Sequence, residues 1–162
     1  MQIPTELLYP TRVEQLSFNY LGLQLRMRVK RDDLIHPLIN GNKWRKLAAH
    51  LPLLDLTTGR TIASVGGAFS NHLLAVAALG KMLQLRTLGF VRGDEARATN
   101  AYEHWLQQLN MELIRIPRAL FSDKKACYHF IQTQYPEAQF IPEGAHPLPT
   151  SEPLAALLDE QP

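Results

Sequence analysis

Cysteine is almost missing from this 162-residue chain: Cys127 stands alone, so no internal disulfide can form and a cysteine-based metal cluster has no ligands. No apolar run approaches the roughly 20 residues that a membrane helix needs; the longest, around Leu73 to Leu79, is far shorter. Met1 to Pro10 carries no basic start followed by an apolar stretch, so no secretory signal is expected there. The expectation is a soluble, cytoplasmic protein that engages no membrane. Charge of one sign is also scarce, because 17 Lys+Arg oppose 15 Asp+Glu for a formal net charge of +2. With a pI near 8.8 and its basic residues interspersed with acids, the chain lacks the footprint of a nucleic-acid binder. Glycine is thin as well: Gly66 and Gly67 are adjacent, and the other seven of the nine are scattered. What is present is 46% hydrophobic and 20% charged residues with 11 prolines spread along the chain. That composition belongs to one globular domain with a packed interior.

Leu16 to Val29 reads as two short strands, in which Leu23, Leu25, Met27 and Val29 alternate with Gln24, Arg26 and Arg28. Period two predicts one buried face, and Leu21-Gly22 fits a tight hairpin turn. From Asn42 the pattern becomes helical to about Leu54, with Trp44, Leu47, Ala48, Leu51 and Leu54 at helical spacing and Pro52 shortening the end. Strand Arg60 to Val65, the Gly66-Gly67 turn and an almost wholly apolar helix Ser70 to Leu83 follow; such a helix must be buried. Further elements are expected at Thr87 to Val91 (strand), Arg97 to Leu109 (helix), Glu112 to Ile116 (strand), Asp123 to Gln134 (helix) and Gln139 to Pro142 (strand). The alternation predicts an α/β fold with a largely parallel sheet flanked by helices, preceded by an N-terminal β-hairpin. Residues 1–144 form its body; 145–162 read as a proline-rich tail with a short helix at Leu154 to Asp159. Trp105, Leu106 and Leu109 are expected in the core, Cys127 as a small buried residue, and His50, His104 and His129 without a metal partner.

Two groups of residues carry chemistry. In the first, Lys30-Arg31-Asp32-Asp33 precedes Asn40-Gly41-Asn42-Lys43-Trp44-Arg45-Lys46-Leu47. Asn40-Gly41 is a turn and Asn42 a helix N-cap, which puts Lys43 in the first helical turn. A helix start disfavours a cation and so helps depress the amine's pKa, and a neutral amine is what imine formation with an aldehyde needs. Solvated surface cations are the alternative for Lys43, Arg45 and Lys46.

In the second group, Ser64-Val65-Gly66-Gly67-Ala68-Phe69-Ser70-Asn71-His72 spans a strand-to-helix junction. Free amides at the helix start, with glycines that permit close approach, suit a carboxylate or phosphate. A plain turn with Ser70 as N-cap suits the same letters. The dinucleotide fingerprint is excluded, since Ala68 and Asn71 stand where its second and third glycines would be.

In order along the chain, Lys30 to Asp33, Asn40 to Leu47, Val65 to His72 and Ile141-Pro142-Glu143-Gly144 resemble the N-terminal half of the 1-aminocyclopropane-1-carboxylate deaminase and D-cysteine desulfhydrase family. Those are pyridoxal-phosphate lyases of the tryptophan synthase β-subunit type, two-domain enzymes of fold type II. The resemblance implies pyridoxal 5'-phosphate as cofactor and a small amino acid as substrate. It implies that Lys43 carries the cofactor as an imine and moves the substrate proton. Asn71 would bond the cofactor's 3-hydroxyl. Ser70 and His72 would belong to the loop that holds the substrate carboxylate, with Ser70 also a nucleophile or proton relay, and Arg45 and Lys46 would tune Lys43.

The same resemblance implies a second half, which brings a glycine-rich phosphate loop and the partner of the pyridine nitrogen and which this sequence does not contain. The isolated chain is therefore expected to bind the cofactor weakly and to turn over little. A split enzyme with a separate large-domain polypeptide, a truncated product and a binding domain that self-associates as a homodimer all fit, as does a non-catalytic anion- or nucleotide-binding α/β module. A split enzyme predicts an apolar face awaiting its partner.

Overall fold

The computed structural model describes residues 5–55, 59–93 and 98–146. Leu21 and Gly22 both take positive φ, 49° and 77°, the handedness that a two-residue turn needs to match strand twist. They join strand β1 (Val13–Tyr20) to antiparallel β2 (Leu23–Lys30). A 3₁₀ turn at Asp32–Leu34 leads to helix α1 (Asn42–His50), and Pro52 converts its continuation into a second 3₁₀ turn at Leu51–Leu53. Then come β3 (Thr61–Gly66), α2 (Asn71–Met82), β4 (Arg86–Arg92), α3 (Ala101–Gln108), β5 (Met111–Ile116), α4 (Arg118–Ser122), α5 (Lys124–Gln134) and β6 (Gln139–Ile141).

The last four strands form one parallel sheet in the order β5-β4-β3-β6. Alternation sorts its side chains onto two faces. Ile62 joins Leu47, Leu73, Leu79 and Ile141 on the side of α1 and α2. Ala63, Val65, Leu88 and Phe90 join Ile116, Phe121, Cys127 and Ile131 on the side of α4 and α5. Helix α2 is buried from His72 to Gly80, as its apolar sequence demands. The chain leaves β3 on one side towards β4 and β5 and returns on the other with β6. The crevice at the carboxyl ends beside β3 is therefore the switch point where α/β sheets bind ligands.

The α/β class, the parallel sheet and the hairpin are as expected, with four differences. The hairpin has no buried face: Leu16, Phe18, Tyr20, Leu23, Leu25 and Met27 are 37–65% exposed. Their cross-strand pairs, Leu16 with Met27, Phe18 with Leu25 and Tyr20 with Leu23, put all six on one side. The alternation is real; among the described residues, nothing covers it. Helix α4 is new, five residues being too few to show a period. Trp105 is 57% exposed while Leu106 beside it is buried, because the eight-residue α3 turns a single narrow stripe inward. Asn42 is the first helical residue and Gly41 the cap, at φ 54° and ψ −135°, a backbone state that suits glycine. The expected helix at Leu154 to Asp159 and most of the 145–162 tail lie outside the described residues.

Candidate functional site

Asp32 organises the start of α1. Its carboxylate accepts from the Thr11 hydroxyl (2.7 Å) and from Arg45 Nε and Nη2 (2.9 and 3.0 Å), and its carbonyl accepts from the Gly41 amide (2.8 Å). Arg45 is 1% exposed and also donates to the Tyr9 hydroxyl at 3.0 Å. Its charge is thus met by Asp32, and the motif's arginine fastens the helix start. Lys43, two residues before Arg45, is half-buried, with its amide on the Asn40 carbonyl (3.1 Å) and its Nζ 3.4 Å from Asn42 Oδ1.

The second motif folds as a tight exit from β3. A Cβ on Gly66 would meet Ser70 Oγ at 2.6 Å and Leu73 Cγ at 3.0 Å, so a bare backbone is required where the loop doubles under the helix start; at Gly67 the same direction is open. Ser70 is the N-cap of α2, its hydroxyl accepting from the Leu73 amide at 3.2 Å. Asn71 is exposed, and its Oδ1 accepts from the Tyr102 hydroxyl at 2.8 Å.

His72 turns the other way. It is 5% exposed, with Nε2 2.8 Å from Ser64 Oγ, and that hydroxyl donates to the Ile141 carbonyl over 2.8 Å. Burial first, and then the charge of Lys43, push its pKa down to about 4, against the effect of a hydrogen bond with the Pro142 carbonyl. His72 is therefore neutral at pH 7. Lys43 and His72 stand on α1 and α2, which pack together.

Beyond the glycines lies a cleft of about 460 Å³ lined by Gly67, Ala68, Phe69, Ser70, Arg92, Arg118 and Glu143, at the carboxyl ends of the parallel strands. Glu143 is paired with Lys124 at 2.6 Å, and Arg92 stacks over the Phe121 ring at 5.2 Å. Lys43 is not among the lining residues. Arg92 and Arg118 were not legible as lining residues, since one ends a strand and the other opens a five-residue helix.

These motifs can be compared with known proteins. No family model matches the chain. It is 40% identical over 77 residues to a protein of Oryza sativa subsp. japonica assigned as D-cysteine desulfhydrase 2, mitochondrial, covering 48% of this chain and 19% of that one. It is 36% identical over 73 residues to 1-aminocyclopropane-1-carboxylate deaminase of Rhizobium rhizogenes, covering 43% and 22%. The chain resembles the N-terminal half of that deaminase and desulfhydrase family.

Solved structures extend the likeness to the fold. An ACC deaminase homologue superposes with TM-score 0.63 at 19% identity, over 96% of this chain and 50% of its own. A hydrogen sulfide-producing enzyme from Fusobacterium nucleatum gives 0.57 at 17% identity, over 80% and 39%. The matches span about a fifth of the length of the curated relatives and half or less of the solved chains. The fold is that of the N-terminal part of these fold-type II proteins. In the described residues, no helix is long and apolar enough to cross a membrane.

The donor set fits the ring end of pyridoxal phosphate: a half-buried amine at a helix start for an aldehyde, and an exposed amide for a phenolic oxygen. Among the described residues, no glycine-rich loop is present to cradle its phosphate.

Proposed function

We propose that this chain is the lysine-bearing half of a pyridoxal 5'-phosphate site acting on a small amino acid, 1-aminocyclopropane-1-carboxylate or D-cysteine, in a deamination or desulfhydration. When bound, the cofactor supplies an electron sink for a carbanion at the substrate carbon. The chain's own residues do the rest. Lys43 binds the cofactor aldehyde through Nζ and serves as the base that takes and returns the substrate proton. Asn71 donates its amide to the ring's 3-oxygen. Ser70, at the open end of α2, receives the substrate carboxylate beside Gly67, where no side chain blocks approach. His72 supports that loop from beneath, through Ser64 and the Pro142 carbonyl.

The observation that supports this reading is the packing of α1, which carries Lys43, against α2, which Ser70 caps and which carries Asn71 and His72. The apolar hairpin face supports a complementary half, on a separate polypeptide or a longer chain, that completes the phosphate site. Residues 1–144 are the unit that would dock with it. Alone, the chain should bind the cofactor weakly.

The test is to incubate the chain with pyridoxal phosphate, reduce with borohydride and map the peptides. A label concentrated at Lys43, and lost in Lys43→Ala, is expected. A label spread evenly over surface lysines would overturn the assignment. It would favour the second reading, a non-catalytic anion- or nucleotide-binding module, for which the cleft of Arg92 and Arg118 speaks.

A further inference from the structure

An asparagine side chain is two-faced: one end of its amide accepts a hydrogen bond and the other donates. For Asn71 to donate to a ring oxygen, its carbonyl end must be held elsewhere, and the site motif itself contains no group that does so. The partner comes from 31 residues downstream, where the Tyr102 hydroxyl donates to Asn71 Oδ1 at 2.8 Å. We propose that Tyr102 is a positioning residue: by occupying the carbonyl end of the Asn71 amide, it fixes the side chain with its NH₂ end turned to the mouth of the site. The role towards the cofactor rests on the reading given above; the orientation of the amide does not.

Tyr102 is itself firmly held. It sits in the first turn of α3, whose start is closed by a reciprocal capping box between Asn100 and Glu103. Glu103 is fully buried and gripped by both Arg115 terminal nitrogens, at 2.5 and 2.8 Å. The Asn100 amide reaches back to the Ala68 carbonyl at 3.4 Å, tying this cap to the loop that precedes Asn71. The Tyr102 ring lies between Phe69 (6.2 Å, edge to face) and Trp105 (6.4 Å), which are 71% and 57% exposed. These two aromatics flank the tyrosine instead of filling the core, and partial burial raises the phenol's pKa, so it keeps its proton and remains a donor through neutral pH. A rigid donor on a rigid helix thus meets a side chain that α2 alone would leave free to rotate.

The test uses the full chain and its Tyr102→Phe, Asn71→Ala and double variants, with circular dichroism to verify folding. In the ligand-free protein, side-chain amide NMR should find the Asn71 NH₂ group restricted in the wild type and averaged over rotamers in Tyr102→Phe, with the other asparagines unchanged. Equal mobility in the two proteins would overturn the proposal whether or not the cofactor binds. In pyridoxal phosphate titrations read by absorbance, Tyr102→Phe should weaken binding about three- to tenfold, the effect of one lost hydrogen bond. The double variant should be no weaker than Asn71→Ala, since the tyrosine acts through the asparagine. Additive losses would overturn the proposal by showing that Tyr102 acts independently. If Asn71→Ala leaves binding unchanged while the amide is restricted only with Tyr102 present, the orientation claim stands and the cofactor role of Asn71 falls.

Discussion

The Arg45 guanidinium and the Asp32 carboxylate form a two-pronged pair, 2.9 and 3.0 Å long, with Arg45 only 1% exposed. Removing one member of such a pair strands the other, so Asp32→Ala should cost roughly 3–5 kcal/mol in urea unfolding. Because the Asp32 carboxylate holds Arg45, two residues beyond Lys43 on the same helix start, the variant should lose the Lys43 borohydride label as well. Arg31→Ala should change stability little, since Arg31 and its partners Glu14 and Asp33 lie at the surface. Equal losses for the two variants would contradict this ranking.

Gly66→Ala and Gly67→Ala should behave oppositely despite being neighbours. A methyl at 66 collides with Ser70 Oγ and Leu73 Cγ, while one at 67 meets nothing within 4 Å. The first should cost about 1–3 kcal/mol and displace Ser70, and the second should unfold like the wild type. Thermal melts of both decide it.

Stability should fall as pH drops from 6.5 towards 4. His72 titrates at about 4 when folded and at its ordinary 6.5 when unfolded, so in that window the unfolded chain binds a proton that the folded one excludes. The stabilisation is complete above pH 6.5 and lost as pH falls through the folded value, on the order of 3 kcal/mol in all. His50, lowered mainly by its own burial, adds to the same slope. Unfolding free energies at pH 7 and 4.5 should differ less in His72→Gln than in the wild type; an unchanged slope would refute the assignment to His72.

Phe18→Ser on the open hairpin face should alter unfolding by no more than about 0.5 kcal/mol in the isolated chain, against about 2–5 kcal/mol for Leu73→Ala in the sealed helix. In sedimentation, Phe18→Ser should reduce any concentration-dependent association. A large loss for Phe18→Ser that grows with protein concentration would mean that a second copy already covers the face.

Much of this was legible in the sequence. The apolar run from Leu73 to Leu79 announced a buried helix, because no solvent-facing helix tolerates it, and the alternation of elements announced a parallel sheet. The hairpin marks the limit: period two reports which side chains share a face, not whether anything lies against it. Strand order and the contact between Asn71 and Tyr102 were equally out of reach, because each depends on how distant segments meet. The pairing of Arg45 with Asp32 was hidden as well, since its partner stands 13 residues earlier and only the fold brings the two together. His72 was expected in the loop that holds the substrate; a single polar residue at a helix start gives no sign of which way it turns.

Asp32 clasps the segment that follows it at both ends, through Ile35 near its start and Gly41 at its close. The stretch between is therefore a loop with a fixed base, and its length is uncoupled from the aim of the amine beyond it. Residues could be spliced into 36–39, or their chemistry recoded, without re-aiming Lys43, provided that the clasp and the packing of Ile39 are kept.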